Sequence, residues 1–233
     1  MSTFTIKLIA ITTMLIDHLG LFFFPQVFLF RIIGRLSFPL FAWLIANGAI
    51  HTKNVTAYAT RLFLLALITQ VPFSYANRQI NVSPGDLNVV FTLFLGLAAI
   101  IVMQKTSKKL LWVLATIGAV AIADALSADY GAAGVLSITS FYLFYNKLNK
   151  MIIAQTLLLF LFPYLTLLLE LLYRLPLSFY YSDLFYEFFG IFSLLFIARY
   201  NKTQGYKDKY LFYCFYPLQY VVILLLKLSL SSK

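Results

Sequence analysis

From residue 6 to residue 228 the chain is a succession of apolar runs separated by short polar breaks, and many of the runs are about 18 residues or longer. That length is what a helix needs to cross the hydrocarbon layer of a bilayer, at about 1.5 Å of rise per residue. Reading the runs between polar breaks gives about nine spans. Their limits are 6–24, 28–46, 56–74, 87–104, 109–127, 131–146, 151–170, 183–199 and 210–228, the sixth and eighth being short. The expected fold class is therefore all-α, a polytopic transmembrane helix bundle. With 62% hydrophobic and 11% charged residues and a mean hydropathy of +0.88, no stretch is left for a soluble domain. A single domain is expected over 1–233.

Local signals refine this picture. Pro39, Pro72, Pro163 and Pro217 fall inside runs, where each frees a backbone carbonyl and is expected to kink its helix. Lys7 precedes the first run as in a signal peptide, but that run holds Asp17 and His18 and has no A-x-A-like exit, so it is read as a retained span. Cys214 is the single cysteine, which excludes an internal disulfide, and it is expected to pack as a small residue.

The basic residues orient the bundle by the positive-inside rule. Of 18 Lys+Arg, eleven fall on the side of residue 7 and every second loop: Lys7, Lys53, Lys105, Lys108, Lys109, Lys147, Lys150, Arg199, Lys202, Lys207 and Lys209. Arg78, Arg174, Lys227 and Lys233 fall on the other side, and Arg31, Arg35 and Arg61 lie within spans. The N-terminus is expected in the cytoplasm and the C-terminus outside. Seven acids, Asp17, Asp86, Asp124, Asp129, Glu170, Asp183 and Glu187, then lie in outer halves or at outer ends of spans, with Asp86 and Asp183 expected to cap helix N-termini. The same asymmetry would draw a polyanion to the inner face and a cation to the outer one.

Charges inside spans are the sharpest lead to function. Each costs about 2.5–3.5 kcal/mol near a bilayer centre on insertion scales, so such groups pair with one another or mark a functional site. With a tight turn at Pro25-Gln26, His18 and Arg35 both lie about 10 Å below the outer end of the first two spans. Arg31 and Arg35, four apart, share a helix face and need a carboxylate, for which Asp17 is the expected counter-charge. Asp17 and His18 point about 100° apart, so the histidine is expected to face another side of the cavity. A lone buried base with cationic neighbours suits proton abstraction from an attacking amine or hydroxyl, with arginine stabilising the oxyanion.

Other chemistries find no support in the residue pattern. The second histidine, His51, falls in a loop at the far side, and no His/Cys/carboxylate cluster has metal-ligand spacing. No nucleophilic serine motif, P-loop or dinucleotide fingerprint is present. The net charge of +10 is divided among short loops rather than gathered in one element, which argues against nucleic-acid binding.

A family resemblance sharpens the chemistry. Ile6-Lys7-Leu8-Ile9-Ala10 followed by Met14-Leu15-Ile16-Asp17-His18-Leu19-Gly20 resembles the opening of the TraX family, membrane proteins of conjugative transfer linked to N-terminal acetylation of pilin. Arg31-Ile32-Ile33-Gly34-Arg35-Leu36-Ser37-Phe38-Pro39-Leu40-Phe41 resembles the second block, and His51-Thr52-Lys53-Asn54 with Tyr58, Arg61 and Gln70-Val71-Pro72-Phe73 the third. Leu87-Asn88-Val89-Val90-Phe91-Thr92-Leu93, Ala128-Asp129-Tyr130-Gly131 and Phe215-Tyr216-Pro217-Leu218 follow in order. The family pattern has a histidine after Tyr-Pro-Leu, where this chain has Gln219, and 147–209 carries none of the recognised blocks.

The resemblance implies a multi-pass acyltransferase of the bacterial inner membrane, working in the lipid bilayer on cytosolic acetyl-CoA or another acyl-CoA and needing no metal. His18 would be the base, Asp17 its charged neighbour, and Arg31 or Arg35 the oxyanion stabiliser. Lys53, Arg61, Lys105, Lys108 and Lys109 would hold the phosphates of CoA. Asn88, Asp124, Asp129, Tyr130 and Glu187, on the outer side, are the candidates for binding an acceptor such as a pilin or other peptide N-terminus. Two alternatives stay open. One is a proton-coupled transporter or flippase, although no internal duplication is visible. The other is a non-enzymatic partner that guides a small membrane protein into assembly.

Overall fold

The computed structural model describes residues 1–80, 85–172, 186–207 and 210–231. Asp183, expected as a cap, lies outside the described residues, as do Arg174, Asp208, Lys209 and Lys233 of the charge pattern. Among the described residues the regular structure is helical: α1 (Thr3–Phe23), α2 (Phe28–Gly34), α3 (Ser37–His51), α4 (Val55–Arg78), α5 (Val89–Lys105), α6 (Lys109–Ala125), α7 (Gly131–Leu143), α8 (Leu148–Leu172), a 3₁₀ helix (Phe188–Phe192) continuing into α9 (Ser193–Ala198), and α10 (Tyr210–Ser231). Within the described residues each expected run coincides with helix, the second as the pair α2 and α3 and the eighth from residue 186. Among those residues four stretches are long and apolar enough to cross a membrane, Thr3–Phe23, Phe28–His51, Val55–Arg78 and Phe212–Leu230. Val89–Lys105, Gly131–Leu143, Leu148–Phe160 and Phe188–Ala198 are shorter apolar helices. Large apolar side chains such as Leu64, Ile68 and Val71 of α4 and Leu110, Val113 and Ile117 of α6 face outward, as in a membrane protein.

The chain packs as two compact units, one of Met1–Asn47 with Leu136–Gly205 and one of Gly48–Val135 with Tyr206–Lys233. In the first, α1 turns back into α2 through Pro25 and Gln26, where the Val27 N–H donates to the Phe24 carbonyl at 2.9 Å. Gly20 lets the helices touch, since a Cβ there would stand 2.4 Å from Phe30 Cβ. Further along, Ser37 Oγ donates to the Ala10 carbonyl at 3.1 Å. Phe38, Leu40, Ala42, Trp43, Leu44, Ile45 and Ala46 are all buried, so α3 is enclosed on every side. Thr3 and Phe4 donate their N–H groups to the carbonyls of Thr203 and Gln204 at 2.9 and 3.1 Å, which ties the start of α1 to the segment after α9.

Of the four internal prolines only Pro39 adjoins a break. Residues 35 and 36 form a turn between α2 and α3, whereas Pro72, Pro163 and Pro217 lie inside helices that run on. Pro39 offers no N–H to the carbonyl four residues back and its ring crowds that carbonyl, which belongs to Arg35. The helix therefore resets at the arginine.

In the second unit α5 and α6 approach closely over small residues, Ala99 against Ala119 and Ala123, with Leu87, Phe91 and Leu95 around them. Gln104 Nε2 donates to the Ala49 carbonyl at 2.9 Å, bringing the ends of α3 and α5 together. Opposite, Leu87 and Ala128 form a parallel bridge between the α4–α5 and α6–α7 connections. Cys214 is exposed on α10 rather than packed, because it points away from the face that carries Tyr216, Tyr220 and Ile223 into the interior.

Candidate functional site

The first unit holds Asp17, His18, Arg31 and Arg35. Arg31 Nη1 donates to Asp17 Oδ2 at 2.7 Å, so the aspartate is the counter-charge of Arg31, one helical turn nearer the outer end than Arg35, which the depth count sets level with His18. Gly34 makes the pair possible. A Cβ there would meet the Asp17 carboxyl at 2.1–2.4 Å, so the missing side chain is the space the carboxylate occupies. Asp17 Oδ1 is buried and accepts no hydrogen bond among the described residues. His18, half-buried on the next position of α1, meets the ring of Phe22 edge-on with centroids 6.4 Å apart.

Arg35 does not share Asp17. Its Nη1 donates to Glu187 Oε1, from the residue that opens the 3₁₀ helix. The expectation of one counter-charge for both arginines is thus corrected to two separate ion pairs. The physical reason is the Pro39 break, with Arg35 in the turn beyond the last residue of α2. The side chain of Arg35 is the better enclosed, at 9% exposure against 20% for Arg31. Gly190, one 3₁₀ turn after Glu187, lies against the Arg35 carbonyl, where a Cβ would stand 3.2 Å from the oxygen.

At the opposite end of the same unit, Trp43 stacks on Tyr145 and meets Tyr200 edge-on, with centroids 6.2 and 4.8 Å apart. The Tyr145 hydroxyl donates to Asn47 Oδ1 at 2.5 Å, and Thr3 Oγ1 donates to the Tyr200 hydroxyl at 3.2 Å.

The remaining candidates belong to the second unit. Asn88 is fully buried and caps α5 by accepting from the Val90 N–H at 3.0 Å. That role was expected of Asp86, but α5 starts later, at Val89, and Asp86 instead offers its carbonyl to Gln70 Nε2 at 2.9 Å. The Asn88 amide also donates to the Ala66 carbonyl at 2.9 Å and to Gln70 Oε1 at 2.8 Å. Asp124 accepts from the Ala132 N–H at 2.8 Å and so caps α7. Gly131, at φ +37°, could not carry a Cβ, which would lie 2.6 Å from that carboxylate. Asp129 is exposed, with its N–H donating to the Leu87 carbonyl at 2.9 Å and its carbonyl accepting from Thr92 Oγ1. Ser127 and Tyr130, at φ 47° and 63°, hold left-handed backbone that non-glycine residues rarely adopt.

Lys53, Arg61, Lys105, Lys108 and Lys109 are exposed. Lys53 and the three lysines around the α5–α6 turn fall at the end of this unit marked by the Gln104–Ala49 bond. Among the described residues no three His, Cys, Asp or Glu side chains cluster to hold a metal ion.

A family model described as TraX protein matches residues 2–227. The chain belongs to the TraX family. The match runs through 147–209 and therefore includes Glu187 and Gly190, which no recognised block contains. Among curated relatives, the chain is similar to a probable fimbrial assembly protein FimC, serogroup H1, of Dichelobacter nodosus, 32% identical over 112 residues. That alignment covers 43% of this chain and 46% of the relative. It is also similar to an uncharacterised protein of Rickettsia prowazekii (strain Madrid E), 29% identical over 91 residues, covering 39% of this chain and 33% of the relative. The chain thus spans less than half the length of either relative. No solved structure matches.

Proposed function

We propose that this TraX protein is an integral membrane acyltransferase that moves an acyl group, by family analogy acetyl, from cytosolic acyl-CoA to an acceptor amine or hydroxyl reached from the outer side. The observation that carries the reading is the Asp17–Arg31 pair adjoining His18, with one buried carboxylate oxygen unspent among the described residues. Charge of that kind inside an apolar helix needs a purpose beyond stability, because a buried ion pair is at best weakly stabilising. In the reaction His18 takes a proton from the attacking N–H or O–H, and the nucleophile adds to the thioester carbonyl. The oxyanion is stabilised by Arg31 or Arg35, the C–S bond breaks, and CoA leaves as the thiol after taking up a proton. Lys53, Arg61, Lys105, Lys108 and Lys109 supply positive charge for the donor's phosphates.

The chain is further proposed to cross the bacterial inner membrane about nine times, with its N-terminus in the cytoplasm. The acceptor is proposed to be a pilin or fimbrial subunit, a choice supported by the family and by the fimbrial assembly relative. That relative's name equally supports a second reading, a non-enzymatic assembly partner, in which Asp17 and His18 are dispensable.

Binding and slow hydrolysis of radiolabelled acetyl-CoA by detergent-purified protein separates the two. The transferase reading expects binding by wild type, His18→Ala and Arg35→Ala, with hydrolysis in the wild type alone. Absence of binding in a folded preparation favours the assembly partner.

A further inference from the structure

Arg35 is gripped at two points by one short element. Its guanidinium donates to Glu187, and its carbonyl faces Gly190 at a distance that leaves a Cβ 3.2 Å from the oxygen, 3.4 Å from Pro39 Cγ and 3.5 Å from Leu159 Cδ2. Glu187 and Gly190 are three apart, one turn of a 3₁₀ helix, so they present the same face to the arginine. The carbonyl held there is the one that Pro39 deprives of its helical donor. Neutralising a buried guanidinium requires only the carboxylate. The close approach of Gly190 adds something neutralisation does not need, because it leaves the main chain of Arg35 little room to shift on that side. Arg31 is held differently: its carbonyl accepts from the Arg35 N–H at 3.1 Å within α2, and Gly34, further along that helix, makes room for Asp17. A charged donor is most effective at a developing oxyanion when it is already fixed and need not reorganise.

We propose that Glu187 and Gly190 are positioning residues which hold Arg35 in its working geometry for acyl transfer, making Arg35 rather than Arg31 the oxyanion-facing arginine. The proposal rests on the transferase reading above. It places the 187–190 segment, which carries none of the recognised family blocks, in service of the reaction.

The test measures acyl-CoA turnover by the detergent-purified full chain as wild type, Glu187→Gln, Glu187→Asp and Gly190→Ala, with thermal melting to establish folding. Gly190→Ala alters no charge and asks the Arg35 carbonyl to shift by a few tenths of an ångström. Since a misplacement of about 1 Å costs about a hundredfold in rate, the expected losses in kcat are about fivefold for Gly190→Ala and about tenfold or more for Glu187→Gln. KM for acyl-CoA is expected to stay within about twofold, and Glu187→Asp to recover part of the loss. Folded Gly190→Ala with wild-type kcat, or losses confined to KM, overturns the positioning role. If Glu187→Gln does not fold, Gly190→Ala decides alone. A folded wild type that turns over no acyl-CoA overturns the transferase reading itself, and is told apart by the failure of the parent rather than of the variants.

Discussion

Two sites, one in each unit, handle buried polarity in opposite ways. In the second, Gln70 and Asn88 form a neutral knot. Asn88 spends its amide on Ala66, Gln70 and Val90, and Gln70 spends its own on Ser74, Asp86 and Asn88. In the first, one ion pair joins α1 to α2 and another joins the turn after α2 to the start of the 3₁₀ helix, and Asp17 Oδ1 is left without a hydrogen bond among the described residues. A closed network of neutral groups fixes a helix junction and asks for nothing more. A charged cluster with an unspent oxygen is incomplete by itself, and incompleteness of that kind is where a reacting group finds its place.

The contrast predicts which changes hurt activity and which hurt folding. The largest effect is expected from His18→Ala, which removes the proposed base. Acyl transfer should fall by about 10² to 10⁴, the usual contribution of general base catalysis, with an unchanged melting curve. Retention of full transfer by a folded His18→Ala protein would break the assignment. Next comes Gly34→Ala, whose new Cβ occupies the space of the Asp17 carboxyl. Separating a buried pair from its partner costs about 3–5 kcal/mol, so this variant should lose both stability and transfer, and a stable, active variant would refute the tight fit. Asn88→Ala should do the reverse of His18→Ala. It strands Gln70 and the Ala66 carbonyl at about 1–3 kcal/mol each, lowering the melting temperature while the folded fraction keeps its specific activity.

Much of this was legible in the residues, and the parts that were not share a cause. The helices follow from run length, and Asp17 as a counter-charge from the need of intramembrane arginines for a nearby carboxylate. Those are local quantities. The Arg35–Glu187 pair joins residues 152 apart, and spacing carries no information at that distance. Charge balance did carry some: two buried arginines with a single aspartate require another acid, and Glu187 was among the outer acids available. Asn88 was read as a contact for the acceptor, although an asparagine directly before an apolar run is also the ordinary signature of a helix cap, and its side chain is engaged in that way. The turn at residues 35 and 36 was legible only in part, since four internal prolines looked alike and just one adjoins a break.

The pairing of Thr3 and Phe4 with Thr203 and Gln204 has a consequence for biosynthesis. The helix that carries Asp17 and His18 leaves the ribosome well before its anchor, for Thr3 Oγ1 and the Thr203 carbonyl are 200 positions apart. At about 5–20 residues per second, roughly 10–40 s separate the two events. Throughout that interval the start of α1 is unsealed, so the helix acquires its final footing only once the segment after α9 has been made.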